Sequence, residues 1–379
     1  MSGLMLTADL HLLLTTHDGP DADGSPSWRQ AECRRVVEFI DHEAIRRERS
    51  PIIVAGDMFH TTRPQAFAYT MADLLDPDWV IPGNHDCPVG ADVTSPLKML
   101  HGNVADTPQV VEFDGIDAAF VPWFSRAFVA ATYPDLAVGE QNRYMAAALD
   151  RIVADLASKK REGIPLIAIT HFTVGGAVYN TGVQPQLGES SDFMVPRSVF
   201  DRPEFAHVFS GHVHKPQTLH GDFCDVTYIG SPFYSDFGEQ HGEARILHVT
   251  RDGNGVRFEA IPTPAVEFCD VELVDGAFSS ASSVAGKIVR IVGDAPAGEE
   301  TAARLAMFTD ALQQAGALHV ATPAVRFTRH EARAVRLIEV DASPEAALRS
   351  YAGMVAGEYE THLDDLLAVQ SELERKAIA

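Results

Sequence analysis

Five short polar motifs, each placed directly after an apolar run, constrain the fold of this chain more than any other feature. They are Asp9-Leu10-His11, Gly56-Asp57-Met58-Phe59-His60, Gly83-Asn84-His85-Asp86, Thr170-His171 and Gly211-His212-Val213-His214. Short apolar runs that end in Gly, Asp, Asn or His are typical of strands. If these strands form an open α/β sheet, all five motifs meet at its carboxyl edge, where such sheets build their sites.

The first 265 residues alternate short aliphatic runs with longer stretches of helical periodicity, which predicts α/β architecture. The predicted strands are Leu4 to Thr7, Pro51 to Ala55, Trp79 to Ile81, Ala118 to Val121, Leu166 to Thr170, His207 to Ser210, Thr227 to Ile229, Arg245 to Thr250 and Val256 to Ile261. The predicted helices are Trp28 to Glu48, Pro64 to Leu75 and Glu140 to Arg161.

The pattern changes around Pro262 to Pro264, because no further cluster of polar residues follows a strand end. We therefore predict a first domain over residues 1–265 and a smaller α+β domain over residues 266–341. Its predicted elements are a strand at 287–292, a helix at 299–315 and strands at 324–328 and 334–340. Residues 342–379 are predicted to add a helix at 344–356 and a polar helical tail that binds a partner or folds back on the small domain.

The side chains of the five motifs are imidazoles, carboxylates and one amide oxygen, with no thiolate among them. This donor set suits a pair of divalent Mn, Fe or Zn ions. Two such ions can hold a hydroxide between them and stabilise both the attacking and the leaving oxygen at phosphorus. One such motif alone is weak evidence for a function, but five motifs in this order predict phosphoester hydrolysis.

In this order the motifs resemble those of the calcineurin-like metallophosphoesterases. The resemblance implies a β-sandwich flanked by helices. It also implies one ion held by Asp9, His11, Asp57 and His214 and a second ion held by Asp57, Asn84, His171 and His212. His85 and Asp86 are the implied catalytic residues, with His85 acting on the phosphate and Asp86 accepting a hydrogen bond that fixes the imidazole ring.

Two further segments resemble the SbcD-type nucleases, namely Gly56 to Pro64 and the stretch TYIGSPFYSDFGE at 227–239. The predicted small domain is similar to their capping domain in its order of elements. The resemblance implies a DNA nuclease that acts on DNA ends with two divalent ions, expected to be Mn²⁺. It also implies an SbcC-type coiled-coil ATPase as partner and leaves a homodimer open.

The net charge of -23 disfavours a large DNA footprint on this chain alone, because binding to the phosphate backbone draws on lysine and arginine. Bound divalent cations would reverse the sign of the charge locally. The first 14 residues lack a basic segment and their apolar run is broken by Asp9 and His11, so we expect neither a signal peptide nor a membrane span. A cytoplasmic protein is the resulting expectation.

Two other functions remain open from the sequence. One is a phosphodiesterase or phosphatase acting on a nucleotide or another small phosphoester. The other is a scaffold that kept the fold and lost catalysis, which the complete set of carboxylates and imidazoles argues against. His60, three residues after Asp57, either orients a metal ligand or has no part in the site.

Overall fold

Two six-stranded sheets form the centre of the structure, a computed structural model that describes residues 3–12, 27–87, 95–124, 135, 137–180, 193–274, 277–278, 283–296 and 298–328. The first sheet has the order β12 (Gly255–Pro262), β11 (Arg245–Asp252), β1 (Gly3–Thr7), β2 (Ile52–Ala55), β3 (Trp79–Ile81), β4 (Asn103–Val104). The second has the order β5 (Gln109–Phe113), β6 (Ile116–Val121), β7 (Leu166–Thr170), β8 (Phe205–Ser210), β10 (Val226–Tyr228), β9 (Gln217–Leu219). β1, β2 and β3 are parallel to one another, as are β7 and β8.

The two sheets pack face to face over a shared apolar core. Leu6 and Ile53 from the first sheet meet Phe120, Ile169 and Phe209 from the second, and all five are fully buried. Side chains of successive residues alternate between the faces of a strand, so each sheet has a second apolar face to cover. Helices cover both of these outer faces.

Helices α1 (Trp28–Arg46) and α2 (Ala66–Leu75) pack on the outer face of the first sheet, and α3 (Val138–Ala157) packs on that of the second. Ser27 starts α1 with a capping box, in which its hydroxyl accepts from the Gln30 N–H and the Gln30 side chain accepts from the Ser27 N–H. The prediction of a β-sandwich flanked by helices is confirmed. The motifs do not share one open sheet, because three of the five follow strands of the first sheet and two follow strands of the second.

A third sheet follows near the predicted boundary at residue 265. It has the order β14 (Ala277–Phe278), β13 (Phe268–Val274), β15 (Ile288–Pro296), β16 (His319–Val320), and β17 (Ala324–Thr328) also pairs with β15. Helix α4 (Glu299–Gln314) packs on it through Leu305, Phe308 and Leu312. We propose that this sheet and helix form the predicted small domain. The predicted strand at 334–340, the helix at 344–356 and the tail lie outside the described residues.

The described helices include none with the length and apolar character needed to cross a membrane. Several strands were not predicted, namely β5, β9, β13 and the two-residue strands β4, β14 and β16.

The core between the two sheets generates a prediction about stability. Phe120→Ala should lower the free energy of unfolding by about 3–5 kcal/mol, because it leaves a cavity in a fully buried site. Urea denaturation followed by tryptophan fluorescence measures the loss. Phe223→Ala is the matched control, since that ring is 68% exposed and its removal should change the unfolding free energy by about 0.5 kcal/mol or less. Equal losses for the two variants would contradict the assigned core.

Candidate metal centre

The five motifs meet where the carboxyl ends of the parallel strands in the two sheets come together. The His212 N–H, after β8, donates to both carboxylate oxygens of Asp9, after β1, over 2.9 and 3.1 Å. His171 Nε2, after β7, lies 3.2 Å from Asp57 Oδ2, after β2. Contacts between side chains of different sheets therefore close the site.

Six of the potential ligands fall into two groups, and Asp57 belongs to one group and faces the other. One group is Asp9, His11 and His214, and the other is Asp57, His171 and His212, with the ligand atoms of each group within 4.8 Å of one another. Asp57 Oδ2 is 3.2 Å from His171 Nε2 and 3.7 Å from His11 Nε2, so it faces both groups.

Asn84 belongs with the second group. Its Oδ1 is 2.9 Å from His212 Nδ1 and 3.2 Å from His171 Nε2. The structure thus brings all seven predicted metal ligands close together. Their assignment as ligands stays a proposal.

His60 and His85 lie on the solvent side of this cluster. The ligand atoms of His11, His60 and His85 form a third group within 4.8 Å. His85 donates its backbone N–H to Asp57 Oδ1 over 2.9 Å, and its Nδ1 is 2.7 Å from the His60 carbonyl oxygen. His60 Nδ1 is itself 3.3 Å from His11 Nδ1, so His60 is part of the site, a question that the sequence left open.

The backbone of the site is held in an unusual conformation. Asp9, His11, Asp57 and His212 have φ angles of 53°, 43°, 51° and 80°, in the left-handed region that non-glycine residues rarely occupy. Each such residue costs on the order of 1–3 kcal/mol and persists only where surrounding contacts impose it. Here the Asp9 N–H donates to the Gly56 carbonyl and the His11 N–H to the Asp57 carbonyl, which ties the first two motifs together.

Glycine is required at position 56. Its φ is 90°, and a side chain there would collide with the imidazole ring of His171. His171 fills this space with its Nδ1 only 2.8 Å from the Ala55 carbonyl oxygen, which fixes the ring and turns Nε2 toward Asp57. The absence of a Cβ at Gly56 therefore allows a strand of one sheet to approach a ligand carried by the other.

The predicted contact between Asp86 and the ring of His85 is wrong. The Asp86 carboxylate is fully buried and accepts hydrogen bonds from the backbone N–H groups of Met58, Phe59 and Gly83. His85 Nδ1 contacts the His60 carbonyl instead. The side chain of Asp86 points away from its neighbour and connects the loop after β2 to the loop after β3.

Glu239 and Ser231 support the site but were not predicted to do so. Glu239 Oε1 accepts from His214 Nδ1 over 2.8 Å, and the residue is only 5% exposed. The Ser231 hydroxyl donates to the Asp9 carbonyl over 3.0 Å. Both residues lie in the segment 227–239 that resembles the SbcD-type nucleases, so this resemblance was the sequence signal that could have identified them as residues of the site.

Burial and mutual contacts shift the pKa values of these groups in opposite directions. Burial raises the pKa of Asp9 and lowers that of His11 well below its usual value. Burial also opposes the charge on Asp57, but His171, His11 and His85 outweigh it and hold the pKa of this carboxyl below its ordinary value. Burial disfavours protonated His171, yet Asp57 and Asp9 raise its pKa to about 10. Burial likewise disfavours protonated His214, but Glu239 and Asp9 raise its pKa to about 9.

This donor set fits two divalent cations. His11 Nε2 and His214 Nε2 lie 3.1 Å apart, close enough to bind the same cation. The raised pKa values of His171 and His214 favour positive charge beside the buried carboxylates, and divalent ions would supply such charge. Imidazole and carboxylate donors suit Mn, Fe or Zn.

The sequence of this chain matches those of known proteins. The family model described as calcineurin-like phosphoesterase matches residues 4–216. The SbcD subunits of the SbcCD nuclease from Rhodobacter capsulatus and Escherichia coli K12 are each 26% identical, over 63% and 60% of this chain. The matches span 64% and 61% of those relatives, a little less than two thirds of their length. Among solved structures, a dimetal phosphatase from Danio rerio has a TM-score of 0.40 at 13% identity, covering 69% of this chain and 98% of that chain.

The raised pKa values predict that metal binding releases protons. His171 and His214 are both protonated at neutral pH without metal, because their pKa values of about 10 and 9 lie above 7, and an imidazole must be neutral to bind a cation. Mn²⁺ should therefore release about two protons at pH 7, and its affinity should rise as the pH approaches these values. Calorimetry in buffers of different ionisation enthalpy measures the number released.

His42→Ala is the control for this measurement, since it removes an exposed histidine of α1 and should leave the number of released protons unchanged. His214→Ala should reduce that number by about one. A binding heat that does not depend on the buffer would contradict the electrostatic account of the site.

Proposed function

Since this chain belongs to the calcineurin-like phosphoesterase family, we propose that it is a DNA nuclease subunit that hydrolyses phosphodiesters with two divalent ions, Mn²⁺ being the metal expected. The observation that carries the proposal is the pair of adjacent ligand groups, one of which contains Asp57 while the other faces it through His11. Asp9, His11, Asp57 and His214 would hold one ion, and Asp57, Asn84, His171 and His212 would hold the other. When bound, the ions would activate water and offset the negative charge of the phosphate.

The protein's own residues prepare the site for an in-line displacement. Asp57 is oriented by the His85 N–H and by His171, so its two oxygens have fixed directions. His171 is in turn fixed by the Ala55 carbonyl, and His214 by Glu239. Partners of this kind set the ring orientation of metal-binding histidines and raise their basicity.

His85 is the residue proposed to act on the phosphate. Its Nδ1 donates to the His60 carbonyl, so Nε2 is the ring nitrogen that exchanges a proton with the substrate. In the protonated state it can donate to a phosphate oxygen or to the leaving oxygen. His60 lies beside it on the exposed side of the cluster, where a phosphodiester approaching from solvent would first meet the protein.

DNA as the substrate is supported by the relatives, which are SbcD subunits of the SbcCD nuclease, and by the third sheet, the proposed counterpart of a capping domain. The net charge of -23 argues that the chain does not hold DNA alone. We therefore propose an SbcC-type ATPase as the partner that supplies the basic surface. A homodimer is compatible with the same proposal.

A nuclease assay on the purified full chain tests the function. Linear duplex DNA and bis(p-nitrophenyl) phosphate are each incubated with Mn²⁺, Mg²⁺ or a chelator, with and without the candidate ATPase from the same genome. The proposal expects DNA to be degraded from its ends with Mn²⁺, and more rapidly with the ATPase and ATP. Hydrolysis of the small diester without cleavage of DNA under any of these conditions would favour the alternative, a phosphodiesterase of small phosphoesters.

The role of His85 gives a separate prediction. His85→Gln should bind Mn²⁺ and DNA like the unaltered protein but lower kcat by about a hundredfold or more, because a proton donor to the substrate is lost. His101→Gln, at an exposed histidine outside the site, is the control and should retain full turnover. Undiminished kcat in His85→Gln would refute the role, and loss of metal would show that His85 is a ligand.

A further inference from the structure

The short 3-10 helix Phe237–Glu239 reaches the candidate metal centre with its last residue. One carboxylate oxygen of Glu239 accepts from His214 Nδ1 and the other from the Ser235 N–H, each over 2.8 Å. Both oxygens of this buried side chain are therefore in use. Any displacement of the 3-10 helix would change the contact with His214, because the Glu239 carboxylate cannot shift without breaking one of its two hydrogen bonds.

The residue that follows Glu239 is held by the third sheet. Gln240 Nε2 donates to Asp270 Oδ2, and the Asp270 N–H donates to Gln240 Oε1, each over 2.9 Å. Asp270 lies in β13. Because the amide of Gln240 is engaged through both its oxygen and its nitrogen, its position relative to β13 is fixed.

Arg290, in β15, holds the same turn from its other end. Its guanidinium forms a bidentate pair with the Asp270 carboxylate, with distances of 2.8 and 2.9 Å, and lies 4.1 Å from the centre of the Phe237 ring. Phe237 also meets Phe268 edge to face at 4.9 Å. Bidentate pairs and cation–π contacts both restrict orientation. The third sheet thus contacts the turn on both sides of Glu239, at Phe237 and at Gln240.

We propose that Asp270 and Arg290 are positioning residues for the candidate metal centre, acting through Gln240 and Glu239 on His214. The proposal rests on the ligand set given under Proposed function. A carboxylate bonded to the remote nitrogen of a metal-binding histidine fixes the ring and selects the nitrogen that faces the metal. The third sheet would thereby set the geometry of one of the two ions.

A purely structural role for these contacts, as a joint between the third sheet and the sandwich, makes a different prediction. A second set of contacts connects the third sheet and the segment before it to the sandwich through α1. His319 stacks on Trp28 with ring centres 6.1 Å apart, and the Val266 N–H donates to the buried Glu32 over 2.7 Å. Loss of the Asp270 side chain leaves this joint in place, so its effect should be confined to His214.

Binding of Mn²⁺ to the full-length chain separates these two roles without any measurement of catalysis. Asp270→Ala should lower the affinity for one of the two bound ions by about tenfold and leave the affinity for the other unchanged. Gln240→Ala removes the same link while keeping the Asp270–Arg290 pair and carries the same expectation. In a His214→Ala background, Asp270→Ala should cause no further loss of affinity, because the two changes act on the same ion.

Two variants serve as matched controls. Arg326→Ala breaks an Arg–Asp pair with Asp294, which lies in β15 beyond Arg290, and the Arg326 side chain is 83% exposed. His319→Ala loosens the joint through α1. Both controls should bind the two ions as the unaltered protein does. Thermal unfolding shows that each variant is folded.

Unaltered Mn²⁺ binding by both Asp270→Ala and Gln240→Ala would overturn this inference while leaving the proposed function intact. If Asp270→Ala weakens the binding of both ions equally, or if His319→Ala loses as much Mn²⁺ affinity as Asp270→Ala, the contacts form a purely structural joint. Either result would also overturn the inference. If the unaltered chain binds no Mn²⁺, the proposed function fails, and this inference fails with it.

Discussion

The contact between the Asp57 carboxylate and the His171 imidazole is the interaction on which the site depends. Asp57 is 2% exposed, and burial of a carboxylate is costly unless it is paired and hydrogen-bonded. Its partners are His171, from the other sheet, and the His85 N–H. His11, carried by the first sheet, also faces this carboxylate at 3.7 Å, so groups from both sheets stabilise the charge and the relative position of β2 and β7 affects the site.

The cluster is layered from the interior toward solvent. Asp9, Asp57 and His171 are buried, whereas His85 is half-buried and His60 exposed. A substrate therefore approaches from the side of His60 and His85, and the ions proposed for the interior would lie behind the phosphate. The third sheet reaches the opposite ligand, His214, through the turn that ends at Glu239. Support for the two ions consequently comes from different parts of the chain.

Much of this arrangement could be predicted from the sequence, because the strands that carry motifs are buried apolar runs. The bounds of β3 and β7 were predicted to the residue. β5 and β9 were missed because they lie at the two edges of the second sheet and are half-exposed, which weakens their apolar pattern. β13 alternates polar and apolar residues and was missed for a similar reason.

The order of the strands in the sheets and the individual hydrogen bonds between residues far apart in sequence were beyond prediction. Spacing along the chain does not reveal that β7 and β8 pair in a second sheet, since strand order depends on long-range pairing. Asp86 follows His85 directly, which suggested a contact, but the turn directs its carboxylate toward Met58 and Phe59. Glu239 reaches His214 across 25 residues of chain, and only the folded structure shows that contact.

The most direct test of the central claim is the anomalous scattering of Mn²⁺ in crystals of the full chain. The account predicts two peaks about 3.5–4 Å apart, as in other two-metal sites, with the Asp57 carboxylate in contact with both. One peak should lie against Asp9, His11 and His214, and the other against Asn84, His171 and His212. A single peak, or two peaks of which only one touches Asp57, would contradict the account.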